Sequence, residues 1–208
     1  MPKKPHKLLE AVLENIEAVV DALTDNEIVK SIPFVGTMVK LVTGGADLRD
    51  RIFVSKVQRF IEQAESTSQQ DRMKFRKQIL SDDDQMRRIG EAVLLVLDKL
   101  SDLRKADLLG MFYACFLGGH LDGAQFRRLA AAIDTAFIDD LESFLEHGDD
   151  ELPYQQWHME QWHMEQLVSS GLTTPSAVKI RSEAGKLLYE PSTIGRKMIE
   201  LWREHGPR

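Results

Sequence analysis

The pentapeptide Trp-His-Met-Glu-Gln occurs twice in succession, at residues 157–161 and 162–166, and its two histidines raise the question of metal binding. On a helix, His158 and His163 would point about 140° away from each other, whereas two ligands on one helix usually lie three or four positions apart. The other histidines are scattered along the chain, and no Cys lies nearby. We therefore predict a tandem duplication on a helix rather than a metal site.

Acidic runs and glycine pairs are the other features whose residue types are used in chemistry. The runs at residues 82–84 and 149–151 lack the alternating oxygen ligands and distal Glu of a calcium loop, so we predict solvated charge at helix ends. The glycine pairs at 44–45 and 118–119 precede no phosphate-loop lysine, and no Gly-x-Ser-x-Gly occurs. The sequence therefore predicts no catalytic residue, no metal ligand and no cofactor, and indicates a protein that is not an enzyme.

Composition and charge narrow the class of protein. Hydrophobic residues at 43% and charged residues at 29% are ordinary for a folded chain, and 208 residues allow one main domain with a small appended module. A net charge of −6 disfavours nonspecific binding to phosphate backbones. The single cysteine, Cys115, lies in an apolar run, so we expect a buried thiol and no disulfide.

The sequence gives no sign of export or of a membrane span. The basic first residues are followed by Glu10, Glu14 and Glu17, which interrupt any apolar core of a secretory signal. The longest uncharged apolar stretch, residues 108–119, is shorter than the roughly 18 to 20 residues that cross a bilayer. We therefore expect a cytoplasmic protein.

Apolar residues at helical spacing predict a series of amphipathic helices before residue 148. Asp102 marks the start of an apolar helix that ends at the glycine pair 118–119. Asp122 with Gln125 resembles a capping box at the start of the next helix. A stripe of five apolar residues predicts one continuous helix after Asp122: Leu129, Ile133, Phe137, Leu141 and Phe144. The earlier predicted helices are 8–23, 34–42 after a cap at Ser31, 46–64, 72–80, and one that begins near 81–84 and buries Met86, Ile89, Val93, Leu94, Leu97 and Leu100.

The acidic, breaker-rich segment 148–153 is the predicted domain boundary. It separates an α-helical domain, residues 1–148, from a module at residues 152–208. Within the module we predict a helix over 154–170, a hairpin containing Val178, Ile180, Leu187 and Tyr189, and a closing helix over 193–202. The expected apolar stripe of the closing helix is Ile194, Met198, Ile199 and Trp202. The predicted fold class is mainly α: a multi-helix bundle with a small C-terminal winged-helix-like α+β module.

Two segments of the module carry the winged-helix resemblance. Leu167-Val-Ser-Ser-Gly171-Leu172 resembles the helix end before a wing, and Thr193-Ile-Gly195 resembles the segment that opens the last helix. Pro191-Ser192 departs from the Leu that usually precedes that Thr. The helix before the wing carries Glu160 and Glu165 and no Lys or Arg, so a protein-contacting wing is favoured over DNA recognition.

The order of the parts is similar to that of bacterial abortive-infection alpha proteins and related domains of unknown function. The similarity rests on Ser31-Ile-Pro-Phe-Val-Gly, the helical middle, and the two module segments with Arg-Lys-Met-Ile after Gly195. The resemblance implies a role in limiting phage propagation and supplies no catalytic residues.

These observations favour a protein partner or self-association, and they identify no small-molecule substrate. Two alternatives stay open. A DNA-binding regulator would use the winged-helix-like module. A membrane-acting effector would use the apolar segment from Ile32 to Val42, in which Lys40 is the only charge.

Overall fold

Helices dominate the residues that the structure describes. The computed structural model describes residues 16–31, 48–65, 83–147, 163–176 and 188–206. The fold is mainly α, with a small antiparallel sheet near the C-terminus, as predicted. The elements in chain order are α1 (Ile16–Asp25), α2 (Glu27–Ser31), α3 (Leu48–Ala64), α4 (Asp83–Lys99), α5 (Leu103–Leu117), α6 (Gly123–Thr135), α7 (Ile138–His147), β1 (Thr173–Pro175), β2 (Tyr189–Pro191) and α8 (Thr193–His205).

The chain divides into two compact units, Met1–Phe126 and Arg127–Arg208. The division lies inside α6. The predicted domain boundary at residues 148–153 lies outside the described residues, and the domains 1–148 and 152–208 therefore stay a prediction.

Helices α3 and α5 form the centre of the first unit. They approach closely because residue 110 of α5 is glycine: a Cβ there would lie 2.2 Å from the carbonyl oxygen of Phe60. The Tyr113 ring then contacts Phe60 at 5.3 Å and Phe126 at 5.5 Å between ring centroids, and Phe116 contacts Phe126 at 5.5 Å. These rings are fully buried and stabilise the unit through apolar burial and ring contact. Met111, Phe112 and Phe116 of α5 are also buried, and Leu117 is half-buried.

Helix α5 begins and ends where the sequence indicated. The Asp102 side chain accepts a hydrogen bond from the backbone N–H of Arg104 at 2.8 Å and caps the first turn. At the other end, Gly119 has φ 79°, in the left-handed region that favours glycine. Cys115 is a buried free thiol, as predicted.

Helix α4 buries most of its predicted stripe. Ile89, Val93, Leu97 and Leu100 are buried, whereas Met86 and Leu94 are half-buried. The helix begins at Asp83, within the predicted acidic start, and exposed Asp84 forms an ion pair with Arg87 at 3.5 Å. Acidic residues in a first turn stabilise a helix N-terminus, in agreement with the prediction of solvated helix-end charge.

The capping box of α6 is confirmed, but the predicted single long helix is wrong. The Asp122 carboxylate accepts hydrogen bonds from the N–H groups of Ala124 and Gln125, and the Gln125 side chain accepts one from the N–H of Asp122. The chain then leaves the helix at residues 136–137 and starts α7 at Ile138. Asp139 and Asp140 favour a new N-terminus there because acidic side chains complement its positive end.

This break reverses the prediction for one residue of the stripe. Leu129, Ile133, Leu141 and Phe144 are fully buried, but Phe137 is 64% exposed.

The predicted closing helix over 193–202 is confirmed as α8, which continues for three more residues. Helix α8 buries Met198 and Ile199 as expected, with Ile194 and Trp202 half-buried, and it also buries Leu201. It continues to His205, beyond the predicted end at residue 202.

The predicted helix 154–170 ends early. Within its described part, a single helical turn occupies residues 163–166, and turns follow up to Gly171, which has φ 75°. Strand β1 comes directly afterwards and pairs antiparallel with β2, so an antiparallel pair is present and includes Tyr189. Val178, Ile180 and Leu187 lie outside the described residues.

Other predictions also fall on residues that the structure does not describe. Ser31, the predicted cap of the helix over 34–42, is the last residue of α2. Among the described helices, none has the length and apolar character needed to cross a bilayer. The predictions that lie outside the described residues are the start of the first helix at 8–15, the segment from Ile32 to Val42, the polar stretch from residue 66 onward, the helix 72–80, the acidic run 149–151, and the first Trp-His-Met-Glu-Gln copy with His158.

Candidate interaction surfaces

The two segments that carry the winged-helix resemblance meet in the second unit. The Ser192 hydroxyl donates a hydrogen bond to the carbonyl of Gly171 at 2.7 Å and accepts one from the N–H of Gly195 at 3.1 Å. The N–H of Ser192 donates to the carbonyl of Leu172 at 2.9 Å. We call these four residues the clamp. It caps α8 and ties the start of that helix to the chain before β1.

Gly195 allows this close approach. A Cβ at that position would lie 2.1 Å from the carbonyl oxygen of Leu172 and 3.0 Å from the ring of Phe144. Real Cβ atoms do not come so near a carbonyl oxygen, so a larger residue would push α8 away. The clamp therefore requires glycine at 195 for steric reasons.

The short ladder extends the clamp. Thr173 pairs with Pro191, and Pro175 pairs with Tyr189. The buried Thr173 hydroxyl donates to the carbonyl of Met164 at 2.6 Å, and the N–H of Ser176 donates to the carbonyl of Leu188 at 2.7 Å. Because two strands alone are marginally stable, these side contacts are needed to hold the ladder in place.

His163 of the second pentapeptide copy contacts a buried carboxylate. Its Nδ1 lies 2.6 Å from Oδ1 of Asp140, and the two side chains are 19% and 5% exposed. Asp140 is in the first turn of α7, where the positive helix end also favours a carboxylate. Among the described residues, no group of three His, Cys, Asp or Glu side chains is placed to hold a metal ion. The geometry of His163 is that of a packing contact joining α7 to the turn at 163–166.

The described surface of the C-terminal module has nearly balanced charge. We use this name for residues 163–176 and 188–206. Arg196, Lys197 and Arg203 oppose four glutamates, and Lys197 pairs with Glu200 at 2.9 Å. In the sequence, the residues between these two ranges contain three basic side chains, Lys179, Arg181 and Lys186, and one acidic side chain, Glu183. Such mixed charge is typical of a protein-contacting surface rather than of a phosphate-binding groove.

A few large apolar side chains are exposed among the described residues. Phe137 is 64% exposed and Leu95 of α4 is 58% exposed, whereas Ile52 and Val168 are only 37% and 38% exposed. Single exposed apolar residues are normal on a protein surface. Phe137 differs because it is aromatic and lies at a helix start rather than on a helix face.

The first unit contains a half-buried ion pair between α3 and α5. Arg59 donates through Nε to Asp107 Oδ1 at 2.8 Å and through Nη2 to the other carboxylate oxygen. The hydrogen bond with Asp107 raises the pKa of Arg59. Burial raises the pKa of Asp107, because loss of solvent outweighs the stabilising contact with Arg59. The pair joins α3 to α5 and fixes the register of the two helices.

The pKa values of two further side chains in the first unit, Asp102 and Lys56, are also shifted. Burial opposes ionisation of Asp102, but hydrogen bonds from Arg104 outweigh burial, so the pKa of Asp102 is lowered. Burial lowers the pKa of Lys56, whose Nζ donates to the carbonyl of Asp98 near the end of α4 at 3.0 Å. An ammonium group at that position complements the negative end of α4. Both residues stabilise helix ends.

Sequence reasoning found some of these features and missed others. It singled out the clamp segments and His163, but neither the Asp140 contact nor the exposure of Phe137 was foreseen. The Asp139-Asp140 pair was an available signal for a helix start just after Phe137. The Arg59 contact joins residues 48 positions apart, and no local spacing rule predicts such a pair.

Comparison of the chain with protein-family models, with curated proteins and with solved structures found no significant match.

Proposed function

We propose that this protein is a non-enzymatic interaction protein that binds a protein partner through its C-terminal module and acts in bacterial defence against phage. One observation carries the proposal: the two segments on which the winged-helix resemblance rests contact each other through Ser192, Gly171 and Leu172. Ser192 and Gly171 are 21 positions apart in the sequence, so two separate segments form one small unit in which α8 is capped. This arrangement supports a module that presents α8 to a partner.

The charge of the module supports protein rather than DNA as the partner. Three Lys or Arg face four Glu in its described part. Proteins that bind duplex DNA neutralise several phosphates with clustered Lys and Arg. The exposed residues of α8 instead alternate in sign, with Arg196 and Arg203 beside Glu200 and Glu204. A partner protein with complementary alternating charge fits this pattern.

The defence role rests on the resemblance to abortive-infection alpha proteins, and phage plating tests it. Cells that express the protein and matched cells with an empty vector are infected at low and high phage dose. We expect fewer plaques on expressing cells, with culture collapse only at high dose. Unchanged plating across a broad phage panel would refute the defence role.

A matched pair of variants tests whether α8 is the binding surface. Arg196→Ala with Arg203→Ala removes two arginines from α8, and Arg87→Ala with Arg88→Ala removes two from α4, where both are exposed. We expect the α8 variant to lose protection and the α4 variant to keep it. Equal protection by both would exclude α8 as the surface. Circular dichroism of each purified variant checks that the helices are intact.

The alternatives predict other results. A DNA-binding regulator would bind duplex DNA with an affinity that falls steeply with salt, and the α8 variant would weaken that binding. A membrane-acting effector would float with liposomes and lose flotation when Val39 and Leu41 become Asp. We expect neither result for the intact protein.

A further inference from the structure

The exposed face of α4 carries a large apolar side chain between two opposite charges. Leu95 is 58% exposed, and Glu91 and Lys99, four positions before and after it, are also exposed. Residues four positions apart lie on the same side of a helix, so the three side chains form one row about 12 Å long. We call Glu91, Leu95 and Lys99 the α4 row.

The two charges of the α4 row are not used within the described part of the chain. Ion pairs on one helix join positions three or four apart, and Glu91 and Lys99 are too far apart to pair with each other. Neither residue forms an ion pair with another described side chain, whereas Asp98 of the same helix pairs with Arg49 of α3. Both charges of the row are therefore available to a group from outside the chain.

The order of the α4 row makes it complementary to itself. When two identical helices pack antiparallel about a two-fold axis at Leu95, this residue faces its own copy. Each residue four positions before the axis then faces one four positions after it, so Glu91 of either copy faces Lys99 of the other. One apolar contact and two pairs of opposite charge form together. A parallel arrangement would instead place like charges side by side, which disfavours association.

We propose that the α4 row is the contact surface of a homodimer, in which two copies of this chain pack their α4 helices antiparallel across Leu95. Ile52, Phe137 and Val168, the other large apolar side chains exposed in the described part, lack opposite charges four positions before and after them. Residues 91–99 of each copy overlap, far fewer than the roughly 20 to 30 residues per side of a standard interface. The dimer is therefore weak and reversible.

This inference concerns the first unit and does not rest on the proposed role of α8. Arg87 and Arg88 lie outside the overlap, so the α4 variant that serves as the control in phage plating should still dimerise. Plating and self-association are separate measurements, and either one can fail without the other.

Analytical ultracentrifugation of the intact protein over a range of concentrations measures the dimer, and charge reversal tests its contacts. Glu91→Lys places two positive charges together at both pairs, and Lys99→Glu places two negative charges together. We expect each variant alone to self-associate about tenfold or more weakly than the unchanged protein, as like charges across an interface do. An equimolar mixture of the two variants should form a heterodimer, because both pairs in it are again opposite in charge.

Two control variants separate these contacts from general effects. Glu91→Lys makes the net charge of −6 less negative, which by itself would favour self-association. Glu146→Lys on the exposed surface of α7 changes the net charge equally and should not weaken the dimer. Leu95→Ser should weaken self-association because it removes the central apolar contact, whereas Phe137→Ser removes an exposed apolar side chain elsewhere and should not.

The outcomes that would overturn the proposal are distinct. One is a protein that is monomeric at every concentration measured. Another is equal self-association by Glu91→Lys and the unchanged protein, or a mixture of the charge-reversed variants that forms no heterodimer. Loss of the dimer in Phe137→Ser but not in Leu95→Ser would place the contact between copies on another surface. Circular dichroism of each variant checks that its helices are intact.

Discussion

Both units of the chain bury apolar side chains, but they differ in the contacts that join their elements. In the first unit, α3 and α5 bury a cluster of aromatic rings that includes Phe60, Tyr113 and Phe116. In the second unit, hydrogen bonds of Ser192, Thr173 and the Asp140–His163 pair join short elements. Apolar burial is non-directional, whereas hydrogen bonds require fixed geometry. The first unit should therefore be most sensitive to loss of volume, and the second to loss of individual polar atoms.

The largest effect should come from emptying the aromatic cluster. Phe116→Ala removes a fully buried ring and should lower the free energy of unfolding by about 4 kcal/mol, because it adds a cavity to the lost burial. Urea denaturation, monitored by circular dichroism, measures this loss of stability. Phe137→Ala is the control and should change stability by less than about 0.5 kcal/mol, as exposed sites do. A loss below about 1 kcal/mol at Phe116 would contradict the comparison.

A single methyl group should disturb the clamp. Gly195→Ala forces a Cβ against the Leu172 carbonyl and should lower the free energy of unfolding by about 3 kcal/mol. Gly123→Ala is the matched control: its Cβ first meets the mobile end of the Gln85 side chain, so we expect a change within about 1 kcal/mol. Differential scanning calorimetry compares the two. Equal losses would show that the contact at Leu172 yields easily.

Breaking the Asp140–His163 pair should have a smaller effect. His163→Ala removes the imidazole that contacts a carboxylate only 5% exposed, and we expect a loss of about 2 kcal/mol, as for a buried acceptor that loses its partner. Adding Asp140→Asn should recover part of that loss, because the uncompensated charge is removed. A double-mutant cycle from urea denaturation gives the coupling. Additive losses would mean that the two side chains do not interact.

The smallest effect is at the cap of α5, and it should depend on pH. Asp102→Ala should cost about 1 kcal/mol at neutral pH, as loss of an N-cap does. The folded-state pKa of Asp102 is lowered, so the carboxylate contributes stability above its unfolded pKa and loses it as pH falls through the folded value. The difference between Asp102→Ala and the unchanged protein should therefore shrink in acid. The exposed neighbour variant Ser101→Ala should show no such trend, and a constant difference across pH would refute this origin.

Much of the helical fold could be predicted because its signals are local. The capping box at Asp122, the cap at Asp102 and the stripe of α8 each depend on residues within a few positions of one another. The break before α7 was missed because the spacing from Ile133 to Phe137 also fits an unbroken helix, and side-chain period alone cannot decide between them.

The candidate surfaces were less predictable than the helices. The clamp joins Ser192 to Gly171 across 21 positions, and His163 contacts Asp140 across 23. Sequence patterns drew attention to Gly171, Ser192 and His163, but their contacts depend on how the elements pack. The balance between exposed and buried apolar residues also follows from packing, so Phe137 was assigned to the core by periodicity alone.

The two close approaches at Gly110 and Gly195 also constrain how this sequence can evolve. In both, the obstacle to a side chain is a backbone carbonyl, of Phe60 in one case and of Leu172 in the other. A substitution elsewhere can shrink a neighbouring side chain, but it cannot remove a carbonyl oxygen. Distant relatives that keep this fold should therefore retain glycine at both positions while the surrounding apolar residues drift. A pattern of Gly-Leu followed at a fixed offset by Ser-x-x-Gly would then identify such relatives when overall identity is too low to do so.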